Sequence, residues 1–86
     1  MESVLIVLNY NDAITTKKLI NNAENIKKID KIVVVDNNSS DNSLEELEKL
    51  KGEKTDVIKA EKNGGYAYGN NYGVTYAIRN YSPKYI

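Results

Sequence analysis

Chemistry in this chain falls to oxygen and amide groups. The 86-residue sequence contains no histidine and no cysteine, which removes the commonest general base and metal ligand and all thiolate reactions. Catalysis here would have to use carboxylates, lysine, tyrosine or a metal held by oxygen ligands. The most suggestive carboxylate is Asp36, which closes the apolar run Ile32-Val33-Val34-Val35 and opens the polar loop Asn37-Asn38-Ser39-Ser40-Asp41. Successive β-branched residues predict a parallel strand buried on both faces. A carboxylate where such a strand emerges lies at the carboxyl edge of an α/β sheet, where ligands of open sheets bind. There it can accept hydrogen bonds from a sugar hydroxyl or a base N–H. The competing reading is an aspartate that caps its own turn.

The second suggestive segment is Asn63-Gly64-Gly65-Tyr66-Ala67-Tyr68-Gly69-Asn70-Asn71. Glycines between a strand and a helix let the backbone approach a ligand, and a helix start offers free N–H groups to an anion. A dinucleotide fingerprint would stand after the first strand, and that position holds Asn9-Tyr10-Asn11 without glycine. The segment also lacks the Lys-Ser/Thr ending of a P-loop. A tight structural turn accounts for it equally well. Tyr68, Tyr72 and Tyr76 fall four apart and share one predicted helix face, a spacing that serves packing more often than recognition. Tyr10 differs, because at the end of a strand beside the crevice its ring can stack on a planar base.

The elements that must position these groups follow a βαβαβα plan. Residues 3–8 (SVLIVL) predict a first buried strand, and Asp12 caps a helix running to about Asn25, with Ile14, Leu19, Ile20 and Ala23 as its apolar positions. Residues 31–36 form the second strand. Ser43 and Glu46 read as a capping box, opening a helix that buries Leu44, Leu47 and Leu50 until Gly52. Residues 55–60 give a third, more polar strand nearer an edge, and a helix follows from about Tyr66 to Asn80, broken by Ser82-Pro83. Tyr85-Ile86 reads as the first residues of a fourth strand. Strands alternating with helices imply a mostly parallel sheet in a Rossmann-like three-layer α/β arrangement. Twelve basic against twelve acidic residues give a formal net charge of +0, so no nucleic-acid footprint is present. The apolar runs are far short of the ~20 residues that span a bilayer, no signal peptide opens the chain, and a cytoplasmic location is expected.

Three motifs in order, VLIVLNYN at residues 4–11, IVVVDNNSSDNS at 32–43 and NGGYAYGNNYG at 63–73, resemble the start of a family 2 glycosyltransferase of the GT-A fold, particularly its rhamnosyltransferase-like members. The resemblance covers nearly the whole chain. It implies a nucleotide-binding half-domain for a nucleotide diphosphate sugar, UDP- or dTDP-linked, serving an inverting transfer to a saccharide or other hydroxyl acceptor in cell-surface polysaccharide synthesis. By that resemblance Asn9, Tyr10, Asn11 and Asp36 hold base and ribose, Asn38 belongs to the same nucleotide-sugar site, and Asn63, Gly65 and Asn71 border the pocket. Relatives continue into a fourth strand with an Asp-x-Asp-like motif for Mg or Mn, then an acceptor half that carries the catalytic base. No Asp or Glu follows Glu61, so residues 1–86 are expected to be an incomplete half-domain, truncated at or before the fourth strand, inactive alone and without catalytic or metal residues of its own. The full enzyme would sit in the cytoplasm or at the inner membrane surface.

Two other readings stand beside it. One is a stand-alone nucleotide or nucleotide-sugar binding module. The other is a nucleotidyltransferase, whose Gly-rich, Arg-containing loop after the first strand is not matched here. The resembled strand order, 3-2-1-4, places the first two helices on one face and the third on the other. It also leaves one edge of the first strand open, a template for pairing with a second copy.

Overall fold

Two short apolar runs set the fold, because each is long enough for one strand and too apolar to sit at a surface, and the more polar segment at residues 55–59 adds the edge strand. The computed structural model describes residues 3–86. Its elements are β1 (Val4–Asn9), α1 (Ala13–Glu24), β2 (Lys31–Asp36), α2 (Ser43–Glu48), β3 (Thr55–Lys59) and α3 (Tyr66–Tyr81). The strands form one parallel sheet in the order β1-β2-β3, with Val4 opposite Lys31, Asn9 opposite Asp36 and Ile32 opposite Thr55. Strand β2 is central, which is why Ile32, Val33, Val34 and Val35 are all fully buried.

Strand periodicity splits the core into two layers. Val7, Ile32, Val34 and Val57 face α1 and α2, packing with Ile20, Ala23 and Leu47. Val4, Val33, Val35 and Ala60 face α3, packing with Ala77 and the partly buried rings of Tyr68, Tyr72, Tyr76 and Tyr81. Two crossovers in one direction put α1 and α2 on the same face, and α3 returns over the other, as the resembled topology predicts.

Local differences from expectation have identifiable causes. In α1 the buried stripe is Thr16, Ile20 and Ala23, spaced for one helix face, so Ile14 is 74% and Leu19 50% exposed. Asp12 does cap this helix, accepting from the Thr15 N–H at 3.4 Å. The capping box at α2 does not form. Asn42 takes the N-cap position without a side-chain bond, and the Glu46 carboxylate turns to Lys17 and Lys49 at 2.7 Å each. Hydrogen bonds from those ammonium groups, Lys17 foremost, hold Glu46 down at about 2. Helix α2 also ends at Glu48, ahead of Gly52, where Leu50 N–H turns to the Leu47 carbonyl and tightens the last turn. Helix α3 ends at Ser82, a left-handed residue with φ of 47°, directly before Pro83. The fourth strand is reduced to one parallel bridge, Ser3 to Tyr85, with Val4 N–H donating to the Tyr85 carbonyl at 2.9 Å. Among the described residues nothing else pairs with that edge of β1, and none of their helices is long and apolar enough to cross a membrane.

A polar cluster ties α3 to the far end of the sheet. Asp56 on β3 accepts from the Tyr76 hydroxyl at 3.0 Å and from the Tyr81 hydroxyl, and it pairs with Lys31 Nζ at 3.2 Å. Burial pushes the Asp56 carboxyl up, but the hydrogen bonds from Tyr81, Tyr76 and Lys31 outweigh it and hold the group below its ordinary value. Burial and then the hydrogen bond to Asp56 raise both phenols to about 12. A raised phenol favours the neutral form in the fold. Its contribution is therefore complete below the ordinary tyrosine value of ~10 and is lost as pH rises through about 12. The Asp56 contribution runs the other way, present above the ordinary carboxylate range and lost as pH falls through its lowered value. A phenolate absorbance titration should show a late step near pH 12, reduced in Tyr76→Phe and in Tyr81→Phe. The same step in the wild type and both variants would dissolve this cluster.

Candidate functional site

The carboxyl ends of β1 and β2 stop side by side, with Asn9 paired to Asp36. Both side chains are buried, Asp36 to 1% exposure. Asp36 Oδ1 accepts from Asn9 Nδ2 at 3.1 Å and from the Ser39 hydroxyl at 2.5 Å, and its Oδ2 accepts from the Ser39 N–H at 3.0 Å. Asn9 Oδ1 in turn accepts from the Thr16 hydroxyl at 2.7 Å. A carboxylate offers about four lone-pair positions, and three are filled from within the chain. The turn-capping role of Asp36 is therefore real, and one position on Oδ2 is left for another donor.

The two loops above this pair are sewn together by Asn11. Its Oδ1 accepts from the N–H groups of Ser40 and Asp41 at 2.8 and 3.2 Å, its Nδ2 donates to the Ser40 hydroxyl at 3.0 Å, and its own N–H donates to the Ser39 hydroxyl at 2.9 Å. Asn11 and Asn38 both adopt left-handed backbone, φ 52° and 58°, a conformation asparagine tolerates better than most residues. The excess of asparagine in this part of the sequence thus has a conformational use.

Asn37 joins the third motif to this rim. Its Nδ2 donates to Asn63 Oδ1 and to the Gly65 carbonyl, both at 3.2 Å, and Gly65 N–H returns to Asn63 Oδ1 at 3.3 Å. Gly65 has φ of 91°, where a side chain would be strained, and it caps α3 so that the helix starts at the rim. The result is a crevice of about 260 Å³ lined by Leu8, Asn9, Tyr10, Asn37, Asn63, Gly65 and Tyr66. Tyr10 is 48% and Tyr66 78% exposed, so two aromatic rings stand at its mouth over a floor of amides.

The structure brings Asn9, Tyr10, Asn63 and Gly65 together in this crevice and places Asp36 bonded to its floor residue Asn9. Asn11 lies on the neighbouring side, in a depression of about 330 Å³ shared with Asp12, Lys17, Asp41 and Glu46. Asn38 supplies the left-handed link between β2 and that loop. Asn71 is not in the crevice; it stands on the exposed flank of α3, in a separate groove with Tyr68, Tyr72 and Arg79. Sequence reasoning passed over Asn37 and Tyr66. The signal for Asn37 was its place directly after the strand-ending Asp36, and for Tyr66 its place directly after the glycine pair.

Set against known proteins, the sequence model described as Glycosyl transferase family 2 matches residues 4–81, a span that includes every crevice residue. No curated protein and no solved structure matches the chain.

Proposed function

This chain belongs to glycosyl transferase family 2, and we propose that its crevice binds the nucleoside end of a UDP- or dTDP-linked sugar for an inverting glycosyl transfer. The observation that carries this reading is Tyr10, half-exposed at the mouth of a crevice whose floor is Asn9 hydrogen-bonded to Asp36. A planar pyrimidine stacked on Tyr10 would meet amide donors and acceptors at its edge, which is the pairing of aromatic face and polar rim that nucleosides require. The crevice volume of about 260 Å³ fits a nucleoside rather than a whole sugar nucleotide, since pockets for larger ligands run ~300–1,000 Å³. The start of α3 opens onto the same space through Gly65 and Tyr66, and its unpaired N–H groups favour the diphosphate.

Inversion at the sugar carbon needs a base for the acceptor hydroxyl and stabilisation of the leaving diphosphate. Among the described residues no three Asp or Glu side chains converge to hold a divalent cation. The described residues by themselves do not fit the Mg or Mn that the family resemblance implies.

An amide-resolved NMR titration of the 86-residue chain with UDP and with dTDP tests the assignment. Shifts should concentrate at Tyr10, Asn37, Asn63 and Tyr66. Tyr10→Ala should weaken binding by about 1 kcal/mol, the usual worth of one stacked ring. Saturable shifts confined elsewhere, or unchanged affinity in Tyr10→Ala, would move the donor site.

A further inference from the structure

Helix α3 lies mainly over β1 and β2, and it reaches the β3 edge of that sheet face through tyrosine side chains, Tyr76 and Tyr81 bonding to Asp56. Between α3 and the end of β3 runs a groove of about 500 Å³, larger than the donor crevice and sharing no residue with it. Tyr68 and Tyr72 form its aromatic wall, their ring centroids 6.1 Å apart and tilted by 44°. Both rings pack on the core and stay partly exposed, and the Lys62 ammonium stands 5.3 Å from the Tyr68 ring centroid. The partly buried Tyr76 continues the wall, and the exposed polar lining is Asn71, Thr75, Arg79 and Asn80 on the helix with Glu61 across from them.

Arg79 is the only arginine in the sequence, and neither it nor Glu61 enters an ion pair among the described residues. The groove keeps two partly exposed tyrosines beside an amide, a hydroxyl, a carboxylate and a guanidinium. Tyrosine offers a wide, rigid contact face at small entropic cost. The polar groups supply donors and acceptors together, which suits a ligand whose hydroxyls act as both. A nucleic acid would want a run of positive charge along its backbone, whereas the groove's lining carries Arg79 and Glu61, one charge of each sign, with the Lys62 ammonium at the Tyr68 end.

We propose that this groove binds a neutral oligosaccharide, with pyranose C–H faces against Tyr68 and Tyr72 and sugar hydroxyls on Asn71, Thr75, Arg79 and Glu61. The assignment explains why Asn71 stands away from the donor crevice. It does not depend on the donor reading, because the two sites occupy different parts of the surface.

The test is an NMR titration of the 86-residue chain with cellopentaose, maltopentaose and chitotetraose, alongside a separate titration with UDP. At least one oligosaccharide should give saturable shifts at Tyr68, Tyr72, Thr75 and Arg79 while leaving Tyr10 and Asn63 in place. Arg79→Ala, at an exposed and unpaired position, should weaken that binding by roughly tenfold, and Tyr72→Ala by at least as much. A folded Arg79→Ala with full affinity would overturn the assignment even if Tyr72→Ala fails to fold. So would the absence of saturable groove shifts with all of these sugars. Concentration-dependent self-association that Arg79→Ala abolishes would reassign the groove to a protein contact. Failure of the UDP titration alone would remove the donor reading and leave this one standing.

Discussion

Gly73→Val should destabilise the protein by about 3 kcal/mol, the upper part of the range for forcing extra methyl groups into a packed core. A Cβ at Gly73 would lie 2.7 Å from Ile6 Cγ2 and 2.8 Å from Val35 Cγ2. Both neighbours are β-branched and held at χ1, and Val35 is fully buried in the central strand. They cannot swing aside. For a chain of this size total stability is of order 4–13 kcal/mol, and a loss of 3 kcal/mol corresponds to a fall in melting temperature of about 15 °C. Gly73→Ala separates the two forces at the same position, since alanine gains roughly 0.8–1 kcal/mol of helix propensity over glycine. It should still come out destabilised, and Gly69→Ala should cost less. The atom nearest a Cβ at Gly69 is Leu8 Cδ2 at 2.8 Å, the end of a side chain able to change rotamer. Thermal melts of the three variants check the order. An unchanged midpoint for Gly73→Val would mean that α3 does not approach the sheet this closely, and the crevice at its N-terminus would then lose its geometry.

Asp36→Asn has the second large expected effect, because it touches stability and binding together. In the wild type Asp36 receives three donors from Asn9 and Ser39. An amide in its place must turn its NH₂ toward one of them, whichever way it is flipped, and a buried donor facing a donor costs about 1–3 kcal/mol. Ser39→Ala is the natural comparison, as it removes the hydroxyl bond and keeps the carboxylate. If Asp36 also holds the nucleoside through the free position on Oδ2, UDP affinity of folded Asp36→Asn should fall by a further ~1–3 kcal/mol, measured by calorimetry at a temperature where both proteins are folded. A loss of stability with no loss of affinity would confine Asp36 to the architecture of the rim.

These two positions show how unevenly function was legible. The strand ending at Asp36 and the loop after it could be read from residue types alone, and so could the expectation that Tyr10 stands beside the crevice. What Asp36 bonds to could not be read, since its partners Asn9 and Ser39 come from two different segments. The capping box at Ser43 and Glu46 failed for a related reason. Lys17, on another helix, is 2.7 Å from Glu46, and a charged partner outcompeted a local backbone bond. Asn71 was assigned to the crevice from its place in a motif, but helical rotation carries it to the flank of α3, into the tyrosine-lined groove.

What the sequence determined by itself is the order and kind of the elements and the layering of the sheet. Apolar periodicity and strand length are local quantities, and a parallel sheet with right-handed crossovers leaves few ways to cover both faces. The tertiary structure alone decided which polar groups meet. Asn37 reaches Asn63 across 26 residues and Asn11 reaches Ser40 across 29. Asparagine, serine and aspartate can bond to many partners with similar energy, so their residue types do not select one. The selection comes from the sheet register, which sets Asn9 against Asp36, and from Gly69 and Gly73, which let α3 close onto β1 and β2.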